Sequence, residues 1–158
     1  MNPIRFNFYN FIITIGIIHG FIFCIILFFN IKLKSKTNKF LSFTILSLCL
    51  SNLQYLLYDL KIIGDFYAEY LFVPFEFLTL PMFYLFVKSY LDVIFVRREV
   101  VLLSIPFFAT NFVQLLTHLF NITDNIKNSL NLTLEYVAFS FSFILIVLIF
   151  KIIFRYEK

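Results

Sequence analysis

Long apolar stretches alternate with short polar segments along the whole chain. The stretches cover residues 8–29, 39–58, 70–91, 100–120 and 133–154, with ends defined to about three residues. Each has about the 20 residues that an α-helix needs to cross the hydrocarbon core of a bilayer. The pattern therefore predicts an all-α fold, a polytopic transmembrane helical bundle whose five spans form a single domain over residues 1–158.

Composition supports the membrane class over a soluble helical bundle. Hydrophobic residues make up 61% of the chain, and the mean hydropathy is +0.93. Charged residues make up 14%, against about 25% in soluble domains. The first stretch, Phe8 to Phe29, contains no Asp, Glu, Lys or Arg, and it is longer than the apolar region of a cleavable signal peptide. We therefore expect it to remain as the first membrane helix.

The distribution of basic residues predicts the orientation. If the N-terminus is outside, the inner segments hold ten lysines and arginines and the outer segments hold three; cytoplasmic loops are usually the basic ones. The inner set is Lys32, Lys34, Lys36, Lys39, Lys88, Arg97, Arg98, Lys151, Arg155 and Lys158, and the outer set is Arg5, Lys61 and Lys127. We predict an N-out, C-in topology. The lipid bilayer is the first expected partner, with the basic clusters near anionic headgroups.

Polar side chains concentrate in the predicted outer halves of the spans. Glu76 is the most informative, because a carboxylate within hydrocarbon is costly and usually faces other helices, water or a ligand. The predicted inner halves are almost purely apolar, which favours a cavity open to the outside over a through-channel. The alternative for each polar residue is an interhelical hydrogen bond, worth about 1 kcal/mol in membranes. The candidate ligand-binding residues are Glu76, Asn52, Gln54, Asn111, Gln114, His118 and Glu135.

Small residues and prolines are candidates for helix packing and kinks. Gly16, Gly20 and Cys24 form a ridge of small side chains at four-residue spacing, and such ridges let membrane helices approach closely. The ridge fits packing against another helix of the same chain or, alternatively, a homodimer interface. Prolines disturb helix hydrogen bonding, and those in the third and fourth predicted helices are Pro74, Pro81 and Pro106.

Catalytic and metal-binding motifs are absent from the sequence. His19, His118 and the two cysteines lack metal-ligand spacing, and there is no nucleophile motif, paired catalytic carboxylate or glycine-rich phosphate loop. Cys24 and Cys49 are predicted to lie about 7 Å apart in depth, which disfavours a disulfide and favours free thiols. We predict no enzymatic activity, no metal and no cofactor.

Two segments of the chain resemble a known family. They are residues 38–55, NKFLSFTILSLCLSNLQY, and residues 74–90, PFEFLTLPMFYLFVKSY. They resemble the N-terminal transmembrane region of membrane-bound AraC-type transcriptional regulators of flavobacteria and their relatives. In that family several transmembrane helices precede a cytoplasmic helix-turn-helix domain. These 158 residues contain no AraC-type DNA-binding domain, so DNA would be a partner only through a domain absent from this chain.

The resemblance implies the membrane-embedded sensory portion of a transcriptional regulator in a bacterial inner membrane. An unknown small-molecule ligand from outside would bind the outer-half polar cavity, and the resulting change in helix packing would reach the DNA-binding domain. The alternatives are a small transporter or transporter subunit, or a structural membrane subunit whose polar residues hold helices together. An unbroken polar path to the inner leaflet would favour transport, and the sequence shows none.

Overall fold

The fold is helical throughout the part that the structure describes. The computed structural model describes residues 7–29, 35–62, 73–94, 96–120 and 124–156. These residues form five α-helices, and no strand occurs among them. The helices are α1 (Phe8–Phe29), α2 (Lys36–Asp59), α3 (Glu76–Tyr90), α4 (Arg97–Leu119) and α5 (Asp124–Tyr156). The predicted all-α class is confirmed.

Four of these helices are long and apolar enough to cross a membrane. The qualifying segments are Phe8–Phe29, Lys36–Asp59, Arg97–Thr117 and Leu132–Tyr156. The exception is α3, because its 15 residues rise only about 22 Å, less than the roughly 30 Å of a hydrocarbon core. The chain is therefore a multi-pass membrane protein. Within the predicted span 70–91, the described helix is α3, and residues 70–72 lie outside the described part.

Two helix boundaries differ from the sequence prediction. Glu76 is the first residue of α3, because Val73 and Pro74 are not helical and Phe75 caps the helix. The residue before a proline is disfavoured in helical conformation, which accounts for this late start. α5 begins at Asp124 instead of residue 133. Hydropathy marks where a helix enters lipid, and the polar residues before the apolar stretch extend the same helix beyond it.

α3 occupies the centre of the helix arrangement. It contacts α2, α4 and α5, whereas α1 packs mainly against α2. Tyr84, Leu85 and Val87 of α3 form one buried cluster with Leu145 and Ile149 of α5. The shortest helix is thus surrounded by longer ones, and its neighbours shield much of its surface.

α1 packs on α2 through both apolar and small polar side chains. Ile17 forms a buried cluster with Leu56 and Leu60. Cys24 Sγ lies 3.0 Å from Ser42 Oγ, and the Ser42 hydroxyl donates to the Cys24 carbonyl at 3.1 Å. Side-chain hydrogen bonds therefore accompany close packing between these two helices.

The ridge of small residues on α1 divides into a tight contact and an open cleft. A Cβ atom on Gly20 would overlap Cys49 Sγ, whereas a Cβ atom on Gly16 would meet nothing within 4 Å. Packing within the chain, one of the two predicted roles of the ridge, is present at Gly20. Cys24 and Cys49 are buried free thiols, as predicted. Gly16 opens into a cleft between α1 and α2 of about 360 Å³, lined by Ile13, Gly16, Ile17, Gly20, Ile45, Leu48, Cys49 and Asn52.

The three prolines have different positions relative to the helices. Pro81 lies inside α3 and is less than 2% exposed. Pro106 lies inside α4, where the Thr110 hydroxyl donates to its carbonyl at 2.7 Å. Pro74 is buried and precedes α3. Two prolines therefore interrupt backbone hydrogen bonding within helices, and the third belongs to the entry into α3.

We expect Gly20→Ala to destabilise the α1–α2 contact, because the added methyl group overlaps Cys49 Sγ. Overpacking of this kind costs about 1–3 kcal/mol, measurable as a lower unfolding midpoint of the purified protein in detergent. Gly16→Ala is the matched control and should be neutral. Cys49→Ala in the Gly20→Ala background should restore most of the lost stability. Equal stability of the two glycine variants would contradict the contact.

Candidate functional site

Polar side chains join α2 and α3 along their shared length. Four side-chain pairs connect the helices, and rising positions on α2 meet falling positions on α3, so the two helices are antiparallel. We call this line of contacts the α2–α3 seam. Its pairs are Thr37–Ser89 at 2.8 Å, Ser47–Thr79 at 3.0 Å, Ser51–Glu76 at 3.4 Å and Tyr55–Glu76 at 2.7 Å.

Glu76 lies at one end of the seam, in the first turn of α3. Its Oε1 accepts a hydrogen bond from the Tyr55 hydroxyl at 2.7 Å and another from the Ser51 hydroxyl at 3.4 Å. Residues four apart on a helix share a face, so both hydroxyls reach the same oxygen. Glu76 is exposed and Tyr55 is 48% exposed. An interhelical hydrogen bond, the alternative given for each polar residue of the spans, is therefore present at Glu76.

The position of Glu76 within its helix differs from the sequence prediction. The sequence placed it inside a continuous apolar span, whereas it starts a helix. Tyr55, its closer partner, lies one turn from Asp59, where α2 ends. The partial positive charge of a helix N-terminus stabilises an anion. The carboxylate therefore lies near the C-terminal end of α2 and at the N-terminal end of α3.

Gln54 holds the chain segment that leads into α3. Its Nε2 donates to the Val73 carbonyl at 2.9 Å, and the Val73 N–H donates to its Oε1 at 2.9 Å. Both backbone polar groups of Val73 are thereby satisfied, which matters where water is scarce. Gln54 is a positioning residue for Glu76, because it fixes the backbone three residues ahead of that carboxylate.

Asn52 and Asn111 bond to their own helices. The Asn52 amide donates to the Leu48 carbonyl at 2.9 Å, and Asn52 lines the α1–α2 cleft. The Asn111 amide donates to the Phe107 carbonyl at 2.7 Å. Phe107 in turn stacks on Phe75, with ring centroids 6.1 Å apart. α4 therefore reaches the Glu76 end of α3, while Asn52 faces a different part of the molecule.

The last three candidates lie on α4 and α5. Gln114 is half-buried on α4, and Glu135 is exposed on α5. His118 belongs to α4, and its side chain is outside the described part. In the described structure the hydrogen bonds of Glu76 all go to α2. Of the predicted set, Glu76 and Gln54 therefore lie together near the start of α3 in the described structure. Ser51 and Tyr55 are additional residues there, since both bond to Glu76.

A second polar cluster, which the sequence prediction missed, lies at the other end of α3. Lys88 Nζ lies 2.8 Å from both carboxylate oxygens of Glu99, and the two side chains are 10% and 28% exposed. The Tyr84 hydroxyl donates to Glu99 Oε1 at 3.2 Å, and Lys88 Nζ lies 5.6 Å from the Tyr84 ring centre. Lys88 lies in the last turn of α3 and Glu99 in the first turn of α4, positions where helix dipoles favour these charges.

The signal for this cluster was present in the sequence. Lys88 was counted with the basic residues that set the orientation, and Glu99 was given no role. Glu99 directly follows Arg97 and Arg98 in the segment that joins the third and fourth predicted spans. A carboxylate there can reach back across a short turn to the last turn of the preceding helix.

The Glu76 cluster offers a negative charge and hydrogen-bond acceptors. Within the described residues, no group of three or more His, Cys, Asp or Glu side chains could hold a metal ion. Lys88–Glu99 is the one ion pair in the described part of the chain, so Glu76 has hydroxyl partners and no cationic partner there. Such a site can bind a donor group or a cation.

We expect Glu99→Gln to be more destabilising than Lys88→Met, because it leaves the more buried charge unpaired. Loss of one partner from a buried ion pair costs about 3–5 kcal/mol, and the partial exposure of Glu99 lowers the cost of the lysine variant. The double variant should recover part of the loss. Unfolding midpoints in detergent measure these differences, with Glu135→Gln as the exposed-carboxylate control. The reverse order of the single variants would contradict the burial argument.

The arrangement was compared with known proteins by sequence and by structure. No family model, no curated protein and no solved structure matches the chain. The similarity to AraC-type membrane regions therefore stays a prediction, and the function has to be argued from the geometry of α2, α3 and α4.

Proposed function

We propose that this chain is the membrane-embedded sensory portion of a transcriptional regulator. An external signal binds at Glu76 and changes the packing of α3, and a cytoplasmic DNA-binding domain outside this chain receives the change. One observation carries the proposal: the exposed Glu76 carboxylate, held by two hydroxyls of α2, starts the central helix of the arrangement.

The geometry of α3 supports transmission from one end to the other. At the Glu76 end, α3 is joined to α2 by neutral hydroxyls. At the other end, Lys88 joins it to α4 through an ion pair. A ligand that competes for the carboxylate weakens the first connection and leaves the second intact. It shifts the packing only if it binds the two arrangements unequally.

The orientation and the membrane follow from the basic residues. We propose the N-out, C-in topology in a bacterial inner membrane, because ten of thirteen lysines and arginines then lie inside. In that topology the Glu76 end of α3 faces outside and the Lys88 end faces the cytoplasm. The C-terminal end of α5 is then also cytoplasmic, on the side where a DNA-binding domain acts. We propose a binding role without enzymatic activity.

A structural membrane subunit is the second candidate, and the α2–α3 seam favours it. In the seam, the Ser47 hydroxyl bonds to the Thr79 hydroxyl, and the Thr37 hydroxyl bonds to the Ser89 hydroxyl. Mutual hydrogen bonds of this kind hold membrane helices together. The same pairing disfavours the transporter alternative, because a solute path needs polar groups that are open to the solute.

The proposed topology predicts the location of reporter fusions. Fusions after Lys36 and Lys158 should report a cytoplasmic position, and a fusion after Asn125 should report an external one, because basic segments are retained inside. Paired phosphatase and fluorescent-protein reporters give opposite signals on the two sides. A cytoplasmic signal after Asn125 would invert the topology and place Glu76 at the cytoplasmic end.

The regulator proposal predicts an effect of Glu76→Gln on signalling. Sequence of the locus beyond the codon for Lys158 should show an in-frame helix-turn-helix. In that full-length protein, Glu76→Gln should insert at normal abundance but change the transcriptional output several-fold, since the negative charge is removed from the site. Membrane abundance and reporter output are measured together.

Glu135→Gln is the matched control for this experiment, because Glu135 is an exposed carboxylate on another helix. It should change neither quantity. Normal abundance with unchanged output for Glu76→Gln would support the structural subunit, because a neutral amide still bonds Ser51 and Tyr55. A stop codon directly after Lys158 would also count against the regulator.

A further inference from the structure

We propose that two copies of this chain associate in the membrane through the cleft between α1 and α2. In this dimer the His19 ring of each copy accepts a hydrogen bond from Asn52 of the partner subunit, and Gly16 lies where the two α1 helices approach. This surface is separate from the Glu76 site, and the inference does not rest on the proposed function. Two exposed polar side chains, their common depth and the open cleft beside them carry it.

His19 is the first of these side chains. It is exposed near the middle of α1, a helix with no Asp, Glu, Lys or Arg. Its Nδ1 lies 3.0 Å from the Ile15 carbonyl. Because a carbonyl only accepts, Nδ1 carries the hydrogen and Nε2 is an acceptor, and no described residue donates to it. Lipid chains cannot hydrogen-bond, so a histidine at this depth almost always faces a polar partner.

Asn52 is the second of these side chains. It is exposed on α2 and lines the cleft. One N–H of its amide donates to the Leu48 carbonyl at 2.9 Å. The amide has a second N–H, which meets no acceptor among the described residues. His19 therefore presents an acceptor and Asn52 presents a donor, and within one chain no hydrogen bond joins the two described side chains.

The two side chains lie at nearly the same depth in the membrane. α1 and α2 are antiparallel, and Gly20 lies against Cys49. His19 is one residue before Gly20, and Asn52 is three residues after Cys49. Their Cα atoms therefore lie about 1.5 and 4.5 Å from this contact, in the same direction along the helices. Each side chain bonds one turn back on its own helix, and in antiparallel helices this brings the ring and the amide to a common level.

The cleft lies beside His19. Gly16 lines the cleft, and residues three apart on a helix are neighbours, so His19 borders it. A Cβ atom on Gly16 would meet nothing within 4 Å, which leaves the backbone of α1 open to close approach by another helix. Small residues at such positions let membrane helices pack closely. Ile12 and Phe23, at helical spacing from Gly16, are exposed on the same face.

Two-fold symmetry brings the donor and the acceptor together. Both copies cross the membrane in the same direction, so the symmetry axis is parallel to the membrane normal and keeps each residue at its depth. When the α1 of the partner subunit lies against Gly16, His19 points away from its own α2 and towards the α2 of the partner subunit. A two-fold interface repeats each contact, so the His19–Asn52 hydrogen bond forms twice. A second copy supplies this donor at the matching depth, and a lipid chain supplies none.

The test measures association of the purified chain in phosphatidylcholine liposomes. Copies labelled at the C-terminus with a donor dye or an acceptor dye are mixed, and energy transfer is recorded as the lipid-to-protein ratio rises. We expect transfer well above that of randomly placed chains, with a decrease on dilution that fits a monomer–dimer equilibrium. Transfer equal to that of randomly placed chains at every ratio would overturn the proposal, because lipid would then cover the cleft.

Variants assign the association to this surface. Gly16→Leu should weaken dimerisation about tenfold or more, because the side chain occupies the cleft. His19→Leu should weaken it about tenfold, because it removes both hydrogen bonds. Ile18→Leu is the control and should leave it unchanged, since Ile18 is exposed on another face of α1. Circular dichroism checks that each variant remains helical. Unchanged dimerisation of a helical Gly16→Leu or His19→Leu chain would overturn the proposal.

A mixture of two variants tests whether the bond joins different copies. The His19→Leu chain keeps Asn52 and the Asn52→Leu chain keeps His19, so their heterodimer has one such bond and each homodimer has none. We expect the heterodimer to be about threefold or more tighter than either homodimer. Equal association in all three would overturn the pairing, because the two side chains would then act within their own chains. If Asn52→Leu fails to fold, the Gly16→Leu and His19→Leu results decide.

Discussion

The structure depends on the contact between α2 and α3, made in a solvent that does not drive helices together. Lipid chains are as apolar as leucine, so membrane helices associate through close packing and interhelical hydrogen bonds. The seam provides such bonds at three levels, and Gln54 fixes Val73 ahead of the helix. Since α3 also contacts α4 and α5, the seam determines where every polar group on α3 lies.

A carboxylate lies near each end of α3, and the two carboxylates differ in charge pairing and in exposure. Glu99 is neutralised by Lys88 and receives the Tyr84 hydroxyl, and this cluster is largely shielded. Among the described residues, Glu76 accepts hydrogen bonds from hydroxyl groups alone, and it is exposed. A shielded, neutral pair is screened little by salt and presents no net charge to a ligand. At the other end of α3, no described residue forms an ion pair with Glu76.

Features that depend on one segment of the chain could be predicted from the sequence. Features that depend on which helices pack together could not. Apolar length predicted the helices, and the rarity of carboxylates within apolar stretches pointed to Glu76. The partners Ser51 and Tyr55 could not be chosen from the sequence, because that choice requires knowing which face of α2 meets α3. Gly16 and Gly20 show the same limit of prediction from the sequence. They belong to one motif, yet one opens into a cleft and the other touches Cys49.

The length of α3 limits how its polar ends can be placed in a bilayer. Glu76 and Lys88 are separated by about 18 Å along the helix axis, less than the roughly 30 Å of the hydrocarbon core. The two ends therefore cannot both reach the headgroups of a flat bilayer of that thickness. An ion pair that also accepts a hydroxyl hydrogen bond costs less free energy deep in the membrane than an unpaired carboxylate does. The Lys88–Glu99 cluster is therefore suited to the interior of the membrane, and Glu76 is suited to the boundary between the membrane and water. In the proposed function, the signal therefore reaches α3 at Glu76, and the change in packing extends from there towards the buried pair.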